Sequence, residues 1–281
     1  MTLQVQGRRA GGIVRLLGVI GVLMTVFCIF KEAKAGSPPA QTTSEQAEVQ
    51  YRLGRSLEKQ GDVNGAIAAY REAMRLDPNA DKPYYELWFV LLKKGDWDGA
   101  AAVGREFARL KPDGTDSYEL LAGALILKGD WPDAVVAMRE MVRREPKNAE
   151  YHAMLAQALG QTGEWAQAET EAQAAVRLNP KHPNGHVVLG FARGGLGRIP
   201  EALVSLDEAR RLKPDDTDAH FYAGWVLAKA GRRADAAAAY RKALEMMHAE
   251  PFFKDFHPTN WYVRTATAAI QELERSADRV R

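Results

Sequence analysis

Cysteine is almost absent: Cys28 is the only one in 281 residues. That excludes an internal disulfide framework and any structural zinc or iron–sulfur site built on several thiolates. A surplus of charge is missing too, because 38 Lys and Arg face 36 Asp and Glu and leave a formal +2. Neutralising a phosphate backbone needs a basic field that this balance does not supply, so nucleic acid is not an expected partner. What is present is enough apolar material for a core: 46% of the residues are hydrophobic and 26% charged, which excludes disorder by composition.

The first 35 residues have the three parts of an export signal. Arg8, Arg9 and Arg15 precede an uncharged run from Leu16 to Phe30, and Ala33-Lys34-Ala35 supplies small residues where a signal peptidase cuts. The rival reading is an uncleaved anchor that associates with a membrane through residues 12–30. A fifteen-residue helix spans roughly 22 Å, short of a hydrocarbon core of about 30 Å. Both readings put the remainder outside the cytoplasm, with a bacterial periplasm as the expected compartment, because the arginines before the run outweigh the lysines after it. Residues 1–35 hold five of the basic and one of the acidic residues, so cleavage leaves 33 against 35 and no cysteine. A thiol-free chain suits an oxidising compartment. Residues 36–46, with two prolines and no apolar periodicity, read as a flexible leader.

From Ala47 the chain repeats every 34 residues without an insertion: 47–80, 81–114, 115–148, 149–182, 183–216 and 217–250. Position 15 of each row is glycine (Gly61, Gly95, Gly129, Gly163, Gly197, Gly231), and position 20 is alanine (Ala66, Ala100, Ala134, Ala168, Ala202, Ala236). Position 32 is proline in the first five rows and His248 in the sixth. Glycine makes up 24 of 281 residues, too few for six coincidences at one spacing to arise by chance. Glycine ends a first helix by taking the left-handed conformation, alanine lets two helices approach closely, and proline stops the second helix.

This pattern resembles the tetratricopeptide repeat (TPR), whose 34-residue unit has the same landmarks at the same spacing. The resemblance implies an all-α fold: a right-handed α-solenoid of six helix-turn-helix repeats, each burying its apolar stripe against its neighbours. Residues 251–281 leave the register and read as a linker and a capping helix starting near Pro258-Thr259-Asn260, with Trp261, Tyr262, Ala266, Ala269, Ile270 and Leu273 on one face.

Two rows depart from the pattern. Repeat two carries Trp88 at position 8 and Gly104 at position 24, where the family has a small and an aromatic residue, which reads as a volume swap across the helix pair. Repeat five carries Arg193 where the other rows have leucine, and Gly190, Gly194 and Gly195 inside a helix, each costing about 1 kcal/mol relative to alanine. That repeat is expected to be the softest joint.

Candidate chemistry dissolves into the period. His152, His186 and His220 all occupy position 4, one structural position used three times, and equivalent side chains a repeat apart do not converge on one ion. Trp97, Trp131 and Trp165 share position 17 as turn-packing aromatics. No nucleophile–base pair or paired carboxylate stands out, so neither catalysis, metal nor cofactor is expected.

The resemblance further implies that the first helix of each pair lines a groove through positions 2, 5, 9, 12 and 13. There the expected partner-binding residues are Tyr85, Phe89 and Leu92; Ile126 and Leu127; and Val187, Phe191, Phe221 and Trp225. These apolar anchors suit a peptide or helix from a cell-envelope assembly or secretion partner, held by a non-catalytic scaffold. The alternatives are a building block that self-associates through the groove or an end face into a homo-oligomer, and a non-catalytic subunit of an enzyme complex.

Overall fold

The computed structural model describes residues 42–249 and 259–278. The export segment, Cys28, most of the leader and the linker after Ala249 lie outside the described residues. The described chain is all-α, and its helices follow the 34-residue period. The first helices of the pairs are α1 (Thr43–Lys59), α3 (Asp81–Lys94), α5 (Thr115–Lys128), α7 (Ala149–Gln161), α9 (Pro183–Gly195) and α11 (Thr217–Lys229). The second helices are α2 (Val63–Leu76), α4 (Trp97–Leu110), α6 (Trp131–Arg144), α8 (Trp165–Leu178), α10 (Ile199–Leu212) and α12 (Arg233–Ala249), and α13 (Thr259–Asp278) follows. None of the described helices is long and apolar enough to cross a membrane.

The landmark positions do what the spacing predicts. All six position-15 glycines have φ between 72 and 85°, a conformation that L side chains rarely adopt, so the requirement there is for backbone freedom. All six position-20 alanines are fully buried. The leader is shorter than expected, because α1 begins four residues before the first row. Thr42 and Glu45 form a capping box: the threonine hydroxyl accepts from the Glu45 N–H at 3.2 Å, and the Glu45 carboxylate accepts from the Thr42 N–H at 2.8 Å.

The chain divides into two compact units, one ending at Leu91 and one beginning at Leu92, so the boundary falls within α3. In the first unit α1 packs on α2, and the missing side chain of Gly54 makes room for the Tyr70 ring. A Cβ on Gly54 would stand 2.5 Å from that ring. The same arrangement recurs in the second unit between Gly190 and Leu206 and between Gly224 and Tyr240. In these three repeats position 8 is glycine because position 24 of the same repeat is large.

Gly104 answers to a different neighbour. The atoms nearest to a Cβ there are the N and Cα of Leu121 on α5, both at 2.7 Å. The volume swap with Trp88 is therefore corrected in its reason: the released space admits the backbone of the next helix.

The three position-4 histidines each have a local task at a turn between repeats. Nε2 of His152, His186 and His220 lies 3.0, 2.8 and 3.1 Å from the carbonyl oxygens of Pro146, Pro180 and Pro214. Each ring thereby satisfies a carbonyl exposed by the proline that ended the previous helix. Where Tyr118 replaces histidine, the Arg144 guanidinium stacks on its ring at 4.2 Å and donates to the Pro112 carbonyl instead. At the far end α13 lies on α12, with Ala266 fully buried and Val263, Ala269 and Ile270 packed against the same core. The side chains of Trp261, Tyr262 and Leu273, expected on that face, lie outside the described residues.

Candidate functional site

In the second unit the first helices of repeats four to six lie side by side, α9 touching both α7 and α11. Across them runs an aromatic cluster. Phe191 on α9 has its ring 4.5 Å from Tyr222 and 5.2 Å from Trp225, both on α11, and 5.1 Å from Trp165 at the start of α8. Trp165 and Trp225 are 5.9 Å apart. The Lys229 ammonium lies 4.4 Å from the Trp225 centroid and donates to the Gly194 carbonyl at 3.1 Å. Gln157 and Gln161 on α7 reach past α9 to donate to the Tyr222 hydroxyl at 3.4 and 3.5 Å.

Glycines on α7 and α9 make this convergence possible. A Cβ on Gly160 of α7 would overlap the Phe191 ring, one on Gly194 would stand 2.7 Å from Val226, and one on Gly195 would overlap the Trp165 ring. Each glycine is a seat for a larger side chain, and the dispersion attraction of that side chain against the bare backbone offsets the helix-propensity cost. Arg193 is also held: its Nε lies 3.3 Å from the Glu169 carboxylate, and Nη1 donates to Ser205 Oγ at 2.9 Å. Arg198 binds the other Glu169 oxygen. Repeat five is a filled and cross-linked joint, contrary to the soft joint expected.

The expected groove residues separate into two groups. Tyr85 and Phe89 of the first unit are half-buried, as are Ile126, Leu127 and Trp225 of the second. Leu92, Val187, Phe191 and Phe221 are core, exposing 3, 1, 4 and 2% of their surface. For these four the expectation of accessible anchors is corrected. The glutamine-to-tyrosine bridges close over α9, and Phe221 packs edge-on against Tyr222 and Tyr240. Trp225 takes part in the packing as well, because its ring leans on Phe191 and Trp165.

Sequence reading missed Trp165, Gln157, Gln161 and the buried Tyr222 as members of this cluster. A signal existed for the first: Gly195 stands at position 13 of the repeat that follows the Trp165 turn, where neighbouring rows hold lysine, leucine or glutamine.

Polar contacts along the first helices tie one repeat to the next. Glu150 on α7 is buried, pairs at 2.8 Å with Nε2 of His182, the residue that precedes α9, and accepts from Asn184 of the next repeat at 3.4 Å. Tyr151 donates to Glu119 on α5. Burial first, and then the bond to Glu119, hold the Tyr151 hydroxyl above the usual phenol range. In the first unit, burial and then the Glu86 charge push Tyr51 up to about 12, so both phenols stay protonated and act as donors to carboxylates.

Family models described as tetratricopeptide repeat match residues 47–80, 125–189, and 90–149 with 187–250. No curated protein sequence matches. Among solved structures, a tetratricopeptide repeat protein from Parabacteroides merdae is 15% identical, with 82% of this chain and 97% of that one covered at a TM-score of 0.62. MamA from Desulfovibrio magneticus is 19% identical over 60% of this chain and 96% of that one, at 0.49. YrrB, described as a TPR protein with an unusual peptide-binding site, is 21% identical over 64% of this chain and 93% of that one, at 0.46. The first of these likenesses shows a shared fold.

Proposed function

Because the chain belongs to the tetratricopeptide repeat family, we propose that it is an exported protein-binding scaffold that holds a peptide or helix of a cell-envelope assembly or secretion partner. The observation that carries this reading is the partial exposure of Ile126, Leu127 and Trp225 on α5 and α11. Apolar side chains left half-open on the helices expected to line a groove are anchor points for an apolar ligand face. Tyr85 and Phe89 on α3 are a second such pair. The proposed contact set is thus narrower than the nine residues expected from the sequence, and it includes Trp165 in addition.

A photo-crosslinking amino acid placed at Leu127 tests this in the producing cells, with Val136 as the control. Val136 lies on α6 and exposes 64% of its surface. Covalent adducts from Leu127 and none from Val136 are expected. Equal yields from both positions would move the ligand off the groove.

Export rests on the charged start, the apolar run and Ala33-Lys34-Ala35. The intact mass of the native protein is expected to correspond to a chain beginning at Gly36. A species beginning before residue 30 would instead make the segment an anchor.

A further inference from the structure

We infer that repeat four holds a proton as part of its structure, shared between His152 on α7 and Glu171 on α8, and that this proton latches the two helices together. The His152 ring is buried, and both of its nitrogens face acceptors. Nε2 lies 3.0 Å from the carbonyl oxygen of Pro146, which can only accept, so Nε2 carries a hydrogen. Nδ1 lies 2.6 Å from a carboxylate oxygen of the half-buried Glu171. A neutral imidazole has one N–H, and the carbonyl already takes it. A second proton must therefore stand between Nδ1 and the carboxylate, and it resides on the ring because the carboxyl group is the stronger acid. His152 is thus an imidazolium that donates in two directions. If it loses either hydrogen, an oxygen acceptor faces a nitrogen lone pair beside a buried ring.

The other described histidine rings have no such pair of acceptors. His186 and His220 make the same contact with the carbonyls of Pro180 and Pro214, which one N–H satisfies. In His182, Nε2 is paired with Glu150 while Nδ1 is buried without a partner, so a second hydrogen there would be stranded. The difference at His152 comes from Glu171. It stands at position 23, which is Ala69, Val103, Ala137, Ser205 and Ala239 in the other repeats.

The remaining charged groups on the elements around the ring are engaged elsewhere or exposed. On α6, Arg139 pairs with Glu164, and Glu140 holds Arg143 and Arg144. In the turn before α7, Glu145 accepts from Thr115 and Asn148, and Lys147 is exposed. On α7, Glu150 pairs with His182 and Tyr151 donates to Glu119. On α8, Glu169 holds Arg193 and Arg198, and Arg177 is exposed. Glu171 is the charge in contact with the ring. The folded chain keeps a proton that the unfolded chain releases above histidine's ordinary value of about 6.5. The latch is therefore fully present below that value and is lost as the pH rises.

Two-bond proton–nitrogen correlation spectra of the histidine rings, taken on the intact protein at a pH where His186 and His220 have become neutral, test this. Both nitrogens of His152 are expected to remain protonated there. In Glu171→Gln the side-chain amide can donate to Nδ1, so the contact survives without the extra proton. The His152 ring is then expected to titrate in step with His186 and His220. The fall in urea midpoint between about pH 6 and about pH 8, on either side of histidine's ordinary value, is expected to be smaller than in the wild-type chain. Glu171→Ala, which restores the residue of repeats one, three and six, is expected to reduce the fall in the same way. A His152 ring with one protonated nitrogen wherever His186 and His220 have one, or a pH dependence of the urea midpoint unchanged in both variants, would overturn the inference.

Discussion

Glu169→Ala is expected to lower the stability of the second unit by about 3 kcal/mol, far more than a typical surface ion-pair variant. Arg193 occupies position 11, which is leucine in every other repeat, and Glu169 occupies position 21, which is isoleucine, alanine, valine or leucine in the others. Two apolar positions that would meet across consecutive repeats have thus become a charge pair. The pair keeps only 23 and 13% of its side-chain surface exposed. Removing the carboxylate leaves a guanidinium in a low-dielectric joint, with Ser205 and the more distant Glu201 at 3.8 Å as remaining partners. Restoring the repeat pattern at both sites, Glu169→Val with Arg193→Leu, is expected to be neutral or to stabilise, because two desolvated charges are replaced by packed side chains. Urea denaturation of Glu169→Val, Arg193→Leu and the double variant closes the cycle. A double variant as unstable as the sum of the singles would show that the charges do not act on each other.

The second large effect is expected at Gly104. By helix propensity alone, glycine to alanine inside α4 stabilises by about 1 kcal/mol. The Leu121 backbone reverses the sign: a methyl group 2.7 Å from its N and Cα cannot be accommodated by a rotamer change. α4 and α5 must separate, so Gly104→Ala is expected to destabilise by about 1–3 kcal/mol and Gly104→Phe by more. Thermal melts of both variants decide this, and an unchanged or raised melting temperature for Gly104→Ala would refute the close approach. Gly195→Ala is the internal contrast. It meets the Trp165 ring, a side chain that can swing, so its main signature should be altered tryptophan emission with a smaller loss of stability.

Most of the architecture was legible in the chain because its determinants are local and repeated six times. A glycine that must take positive φ, an alanine at a helix crossing and a proline that ends a helix act within a few residues of themselves, and their spacing survives in one dimension. The histidines of position 4 were legible as a repeated structural feature for the same reason. The Thr42 and Glu45 capping box was present in the sequence too, hidden within a segment read as leader by its composition.

The accessible surface was less legible. Sequence position alone placed Phe191 and Trp225 together on a groove, yet one is core and the other half-open. The difference comes from residues far apart in the chain: Gln157 and Gln161 reach Tyr222, and Trp165 settles on Gly195. Likewise Arg193 looked like a defect until Glu169 was found beside it. The sequence by itself determined the helices, their pairing and their period, because those follow from backbone conformations that single residues prefer. Only the tertiary structure decided which glycines are seats, which charges are paired and which aromatic rings stay open. Those outcomes depend on the distance between helices, which is set by the packing of many side chains at once.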